Sequence, residues 1–142
     1  MSTVAIATST IVAAIAAACG IGLALNRRSG VLRHVGSAGQ RDSTNVGDLG
    51  LSTTGPTVVH FSAEWCGPCA AVRQVVDRVC AELPEVAHVE IDLDANPAAA
   101  KGLSVLSLPT TFIFDADGRQ RYRTAGVPKA ADLRTALVPL LA

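Results

Sequence analysis

Phe61-Ser62-Ala63-Glu64-Trp65-Cys66-Gly67-Pro68-Cys69 is the stretch on which the reading of this chain turns. It follows a β-branched apolar run, Thr57-Val58-Val59, and precedes a segment with helical periodicity, so its two cysteines fall at a strand-to-helix junction. A helix N-terminus offers unpaired N–H groups and the positive end of the macrodipole, both of which favour an anion. Cys66 is therefore expected to hold a thiolate near neutral pH. Cys69, one helical turn deeper, is expected within disulfide reach of it. Gly67 and Pro68 suit a tight entry into the helix, Pro68 because the first-turn N–H groups have no intrahelical acceptor.

A Cys-x-x-Cys pair also supplies half of a structural zinc site, which needs two further Cys or His ligands at suitable spacing. The remaining cysteines are Cys19, inside an apolar N-terminal run, and Cys80, alone on the following helix. There is no second Cys-x-x-Cys, so the pair is read as redox-active and no metal is expected.

Ala63-Glu64-Trp65-Cys66-Gly67-Pro68-Cys69, followed by Leu108-Pro109-Thr110 and then by Asp117-Gly118 in a turn, resembles the thioredoxin family. The likeness covers the chain from about Val31 to Ala142. It implies a three-layer α/β/α domain with a central mixed sheet. It also implies dithiol exchange, in which Cys66 attacks a substrate disulfide and Cys69 resolves the mixed disulfide, with the Cys66–Cys69 disulfide as the redox group and no bound cofactor. By the same resemblance Pro109 is expected to be cis and to lie against the cysteine pair, with the Leu108 backbone binding an extended substrate strand. Trp65 is expected to frame the substrate surface.

His60 is the informative departure. The family usually carries a buried aspartate six residues before the nucleophile, which exchanges the proton of the resolving cysteine and pairs with a lysine on the next strand. Aligning Asp94-Ala95-Asn96-Pro97 with the family puts Glu90 at the lysine position. The chain thus replaces that pair by one of opposite polarity, in which neutral His60 takes the proton from Cys69 and Glu90 stabilises the imidazolium. Ser62 and Ala70 also depart from the family, which commonly has Trp and a cation there. Loss of the cation after Cys69 removes one charge favouring the thiolate.

The chain has 142 residues with 12 basic and 12 acidic side chains, room for one domain and an appendage. A net charge of zero gives no basic field for nucleic acid. Four cysteines with one close pair do not make a disulfide-stapled secreted domain. From Thr3 to Leu25 no residue is charged, and at about 1.5 Å per residue this run reaches roughly 34 Å, enough to cross a bilayer. Residues 3–26 are accordingly read as a transmembrane helix. A cleavable signal would begin with Lys or Arg, whereas Met1-Ser2 carries neither. The basic flank is Asn26-Arg27-Arg28, then Arg33 and His34, which places the following domain in the cytoplasm by the positive-inside rule. Ala16-Ala17-Ala18-Cys19-Gly20 resembles a lipoprotein processing site, but it lacks a basic start, has Ala16 where a larger aliphatic residue is usual, and is followed by apolar sequence to Leu25. Cys19 is read as a small apolar residue of the membrane helix.

Residues 27–56 read as a juxtamembrane segment and linker, with a candidate first strand at 31–35 and at most a turn of helix from Asn45 to Leu51. Residues 57–142 are the expected core. Thr57–Ser62 reads as a buried central strand. Ala71, Val72, Val75, Val76, Val79, Cys80 and Leu83 recur at helical spacing until Pro84, which puts Cys80 in the core. Val86–Leu93 reads as a strand, Asn96-Pro97 opens a short helix to Lys101, and Thr110–Phe114 with Gln120–Thr124 forms a hairpin around Gly118. Pro128, at a first helical turn, begins a last helix with Leu133, Leu137, Leu140 and Leu141 on one side.

The leading expectation is a membrane-tethered, monomeric reductase of protein disulfides, fed from NADPH through a thioredoxin reductase on the cytoplasmic side. A second reading places the domain outside the membrane, reducing apocytochrome c or other envelope disulfides with electrons from a transmembrane donor. A third is a membrane-anchored interaction module without enzymatic activity.

Overall fold

The computed structural model describes residues 2–26, 29–36 and 49–142. Helix α1, Ser2–Asn26, contains over Thr8–Leu25 a stretch of mean hydropathy 2.0, long and apolar enough to cross a membrane; a signal sequence near an N-terminus shares these properties. Its large apolar side chains, among them Ile11, Ile15, Ile21 and Leu25, are exposed. The basic flank Arg27-Arg28 and most of the expected turn from Asn45 onward lie outside the described residues.

A five-stranded mixed sheet follows. Its strands are β1 (Arg33–His34), β2 (Thr57–Ser62), β3 (Ala87–Asp92), β4 (Thr110–Phe114) and β5 (Gln120–Ala125), in the spatial order β1-β5-β4-β2-β3. Only β2 and β3 run parallel; the other pairs are antiparallel. The candidate strand at 31–35 is a two-residue ladder against β5, extended by the Val35 N–H to Arg121 O (2.8 Å) and the Gly30 N–H to Ala125 O (2.6 Å). Every residue of β2 is buried, as its continuous apolar run requires of a strand covered on both faces.

The alternation of β2 divides the core. Val58 joins Ile113 of β4 under helices α2 (Cys69–Glu82) and α4 (Ala130–Leu137), packing on Val72, Val76, Val79, Leu133 and Leu137. Val59 and Phe61 face the other way, onto Leu49, Ile91, Phe112, Phe114 and Ala100 of α3 (Pro97–Gly102). This is the expected three-layer α/β/α arrangement, and both β1 and Leu49 contribute to it from ahead of Thr57.

Three local expectations are corrected. Helix α2 begins at Cys69 with Pro68 as its N-cap, so Pro68 stands outside the first turn and Cys66 lies in a turn before the helix. Ala71 is exposed, and the buried stripe of α2 narrows to Val72, Val76 and Val79, with Val75, Cys80 and Leu83 half-buried beside it. Pro128 is buried ahead of Lys129, the N-cap of α4, and so precedes that helix; Leu140 falls in a 3-10 turn, Val138–Leu140, with Leu141 just after it. The β4–β5 turn closes as read: Gly118 takes φ +73°, and Asp115 Oδ1 accepts from the Asp117 and Arg119 N–H groups (3.1 and 2.9 Å).

Candidate redox site

Strand β2 ends at Ser62 and α2 begins at Cys69, so the cysteine pair sits at the carboxyl end of a strand buried along its whole length. The Cys66 N–H donates to Ala63 O (3.0 Å) and the Cys69 N–H to Cys66 O (3.2 Å), two successive tight turns that bring the sulfurs together. They are joined in a disulfide with a Cα separation of 5.5 Å. The two sulfurs are not equivalent. Cys66 is half-buried in a loop whose other members, Trp65, Gly67 and Pro68, are exposed, whereas Cys69 is 3% exposed and its Sγ lies 3.9 Å from Phe61 O.

Two further segments close on this loop. The Leu108–Pro109 peptide is cis; Pro109 is buried, and Leu108 packs on the cluster containing Phe61 and Phe112. Because Thr110 pairs with Phe61, Pro109 is held at the end of β2 from which the cysteine loop departs, and its carbonyl accepts from the Gly126 N–H (2.8 Å). Trp65 is 68% exposed, which excludes a core role; its indole Nε1–H donates to Asp94 Oδ2 (3.1 Å) beyond the end of β3.

His60 and Glu90 are register partners in the parallel β2–β3 pair. His60 is wholly buried, with Nε2 3.5 Å from Glu90 Oε1, too far for a hydrogen bond. Glu90 is instead bonded by Ser62 Oγ–H (2.7 Å) and by Arg73 of α2 (Nε to Oε2, 2.7 Å). The Arg73 bond, assisted by Ser62, holds the Glu90 carboxyl down to about 2. Burial dominates at His60 and lowers it from 6.5 to about 4, against the upward pull of Glu90. The imidazole is therefore neutral, and Glu90 offsets only part of the cost of charging it.

Sequence reasoning missed five participants: Ser62, Arg73, Asp77, His88 and Asp94. His60 Nδ1 meets His88 Nε2 at 2.9 Å, and His88 Nδ1 meets Asp77 Oδ1 at 2.9 Å. Period two along β3 carried the signal, since His88 and Glu90 alternate with apolar Val89 and Ile91 and so share the face under α2. Cys80 is a half-buried free thiol, raised by burial, in the cluster beneath α2, and Cys19 is an exposed free thiol on α1. No cluster of metal-ligating side chains occurs among the described residues.

The family model for thioredoxin matches residues 48–138. A thioredoxin of Mycolicibacterium smegmatis is 42% identical over 88 residues, covering 59% of this chain and 78% of the relative. One from Streptomyces clavuligerus is 32% identical over 111 residues, 78% of this chain and 98% of that protein. Among solved structures, oxidised mitochondrial thioredoxin 3 of Saccharomyces cerevisiae superposes with a TM-score of 0.54 at 28% identity, over 60% of this chain and 78% of its own. The thioredoxin of Fasciola hepatica does so with a TM-score of 0.53 at 27% identity, over 87% and 93%.

Proposed function

Since this chain belongs to the thioredoxin family and is a thiol–disulfide oxidoreductase, we propose that it reduces protein disulfides with Cys66 as nucleophile and Cys69 as resolving thiol, tethered to a membrane by α1. The observation that carries the assignment is the unequal burial of the two sulfurs: a protein substrate reaches Cys66 from solvent, while Cys69 is shielded against β2. In the reduced protein the Cys66 thiolate attacks one sulfur of a substrate disulfide, forming a mixed disulfide and releasing the other sulfur as a thiolate. Cys69 then attacks Cys66, forming the internal bond, and the second substrate sulfur departs with its electron pair.

Resolution requires Cys69 to lose its proton. We assign the acceptor of that proton to His60, one residue before Phe61, whose carbonyl lies 3.9 Å from Cys69 Sγ; its ring is neutral and its Nε2 has no hydrogen-bond partner among the described residues. Glu90, 3.5 Å from that nitrogen, favours the arriving proton. Leu108 and Pro109 supply the edge along which an extended substrate lies, and Trp65 forms the opposite rim.

Helix α1 acts as the tether in this reading; Arg27, Arg28 and Arg33 on its C-terminal side favour the cytoplasm for the redox domain by the positive-inside rule, with a thioredoxin reductase as the source of electrons. Two measurements test this. With insulin as substrate, Cys69→Ser should accumulate a covalent mixed disulfide that Cys66→Ser does not form; equal trapping by both variants would overturn the assignment of the sulfurs. C-terminal fusions should fluoresce as green fluorescent protein and be inactive as alkaline phosphatase; the reverse pattern would place the domain outside, with a transmembrane donor as its source of electrons.

A further inference from the structure

Asp77, His88 and His60 form one unbroken hydrogen-bonded line. It begins at an Asp77 side chain 60% exposed on α2, passes through a His88 side chain 17% exposed on β3, and ends on the fully buried ring of His60. The imidazole centroids lie 5.0 Å apart, 25° from parallel. Neither Asp77 nor His88 belongs to the acid–base pair assigned above.

Resting on that assignment of His60, we propose that the three side chains are a proton conduit: His60 changes tautomer, and the proton released by Cys69 comes to rest on His88, beside Asp77 and one ring nearer the solvent.

The closer carboxylate sets the direction: Asp77 Oδ1 is at hydrogen-bond distance from His88 Nδ1 (2.9 Å), whereas Glu90 Oε1 stands 3.5 Å from His60 Nε2 and is already bonded by Ser62 and Arg73. An ionised carboxylate only accepts, so the proton between Asp77 and His88 belongs to His88 Nδ1. In neutral His88 the other nitrogen, Nε2, is then an acceptor, and His60 Nδ1 must be the donor to it. His60 Nε2 is left with a bare lone pair, and it is the atom with no hydrogen-bond partner among the described residues. The line thus sets His60 as an acceptor on the side facing Glu90.

When Cys69 attacks Cys66, the Cys66–Cys69 bond forms, the bond from Cys66 to the substrate breaks, and the substrate sulfur leaves as a thiolate. The Cys69 proton passes to His60 Nε2 while the His60 Nδ1 proton crosses to His88 Nε2. His60 ends neutral in its other tautomer, and His88 ends as an imidazolium still donating from Nδ1 to Asp77. When a donor dithiol reduces the internal disulfide, Cys69 departs as a thiolate, takes the proton from His60 Nε2, and the middle bond reverts. No step leaves a cation on the fully buried ring, where desolvation opposes it most. The other charged groups facing the two rings are Arg73 of α2 and Glu90 of β3, which pair with each other; β4 contributes only neutral Thr111 opposite His60. Asp77 is the carboxylate left to balance the added charge.

The test uses the reduced full chain in detergent, carrying Cys19→Ser and Cys80→Ser in every variant so that only Cys66 and Cys69 react, mixed with one equivalent of dithiobis-nitrobenzoate in a stopped-flow instrument. The first release of thionitrobenzoate reports attack by Cys66 and the second reports resolution by Cys69. His88→Gln keeps a hydrogen-bonding side chain that cannot carry the charge; it should slow the second phase about tenfold near neutral pH, leave the first unchanged, and be rescued by added imidazole. Nitrogen-15 spectra of the reduced wild type should show His60 as the Nδ1–H tautomer. A second phase in His88→Gln that matches wild type at every pH, while His60→Ala is slow, overturns the conduit and leaves the His60 assignment standing. An unchanged second phase in His60→Ala overturns that assignment itself. A slow His88→Gln with no imidazole rescue and an unaltered pH profile also overturns the conduit, because it makes His88 a packing residue. Asp77→Asn, on the exposed end of the line, gives an independent reading: it should displace the pH profile of the second phase, and an undisplaced profile counts against the conduit.

Discussion

Glu90 Oε1 stands 3.5 Å from His60 Nε2, and the same oxygen accepts a hydrogen bond from Ser62 at 2.7 Å while Arg73 grips the carboxylate from α2. The carboxylate is thus near enough to be felt by the imidazole yet is already bonded elsewhere. Its influence on His60 is electrostatic, and it is opposed by burial, by His88 and by Arg73.

Opposite responses to two substitutions follow. Glu90→Gln removes the strongest influence favouring imidazolium, so His60 should become harder to protonate than it already is. Arg73→Ala removes a cation that disfavours it and releases Glu90 from its bond, so His60 should titrate higher than in the wild type. A proton NMR titration of the His60 ring in both variants reads the two shifts. Movement in the same direction would mean that the Arg73–Glu90 pair acts on His60 through packing instead of charge.

The depressed His60 also makes stability depend on pH. In the unfolded chain the ring binds a proton near 6.5, whereas the folded protein resists it until about 4. Between those values the unfolded state holds more protons, so the contribution is complete above 6.5 and is lost as the pH falls towards 4. At roughly 1.4 kcal/mol per pH unit, the whole window amounts to about 3 kcal/mol. Urea midpoints measured from neutral pH down to pH 4 should fall accordingly in the wild type and flatten in His60→Leu. Parallel curves for the two proteins would remove His60 as the cause.

The sequence made the layers legible because burial on both faces of β2 leaves six consecutive buried residues, and because the stripe Val72, Val76, Val79 has no other helical reading. It misplaced the start of α2 for a physical reason. The i to i−3 bond from Cys69 to Cys66 closes a turn that resembles a helical one in spacing but leaves Pro68 as the cap, and residue types alone do not separate the two. Ala71 fitted the stripe by spacing but lies at its edge, in line with Val75, which is itself only half-buried. Asp77 and His88 stayed hidden because their meeting depends on the register of β3 against β2 and on the rotation of α2. Period two puts His88 on the face under α2, but it gives neither that register nor that rotation.

Leu137 measures the joint between α4 and the sheet. It is fully buried with Leu133 against Val58, Val76, Val79 and Ile113, so Leu137→Ala removes three carbons from a filled layer. A loss of about 3 kcal/mol is expected, since a large-to-small change adds a cavity to the lost transfer energy. The disulfide and its loop lie at the end of β2, and α4 packs elsewhere on the sheet, so the rate of resolution should hardly change. Denaturant unfolding checks the first claim and stopped-flow thiol release the second; a slowed release would show that α4 supports the site directly.

Trp65 is tied down at one point, by the indole N–H to Asp94 Oδ2 bond of 3.1 Å. Its ring is otherwise in solvent, so packing holds it weakly and the hydrogen bond sets where the rim stands. Asp94 is itself fixed, because its N–H and that of Ala95 both donate to Asp92 Oδ1 (2.8 and 3.0 Å). Asp94→Ala should release the indole, raising its accessibility to acrylamide quenching, which is readable because the chain has a single tryptophan. If Trp65 positions protein substrates, losing a bond worth about 1 kcal/mol should raise KM for insulin reduction roughly fivefold and leave kcat nearly unchanged. Quenching that rises while KM stays fixed would show that the ring is held by Asp94 for some purpose other than meeting the substrate, and unchanged quenching would show that it is not held by Asp94 at all.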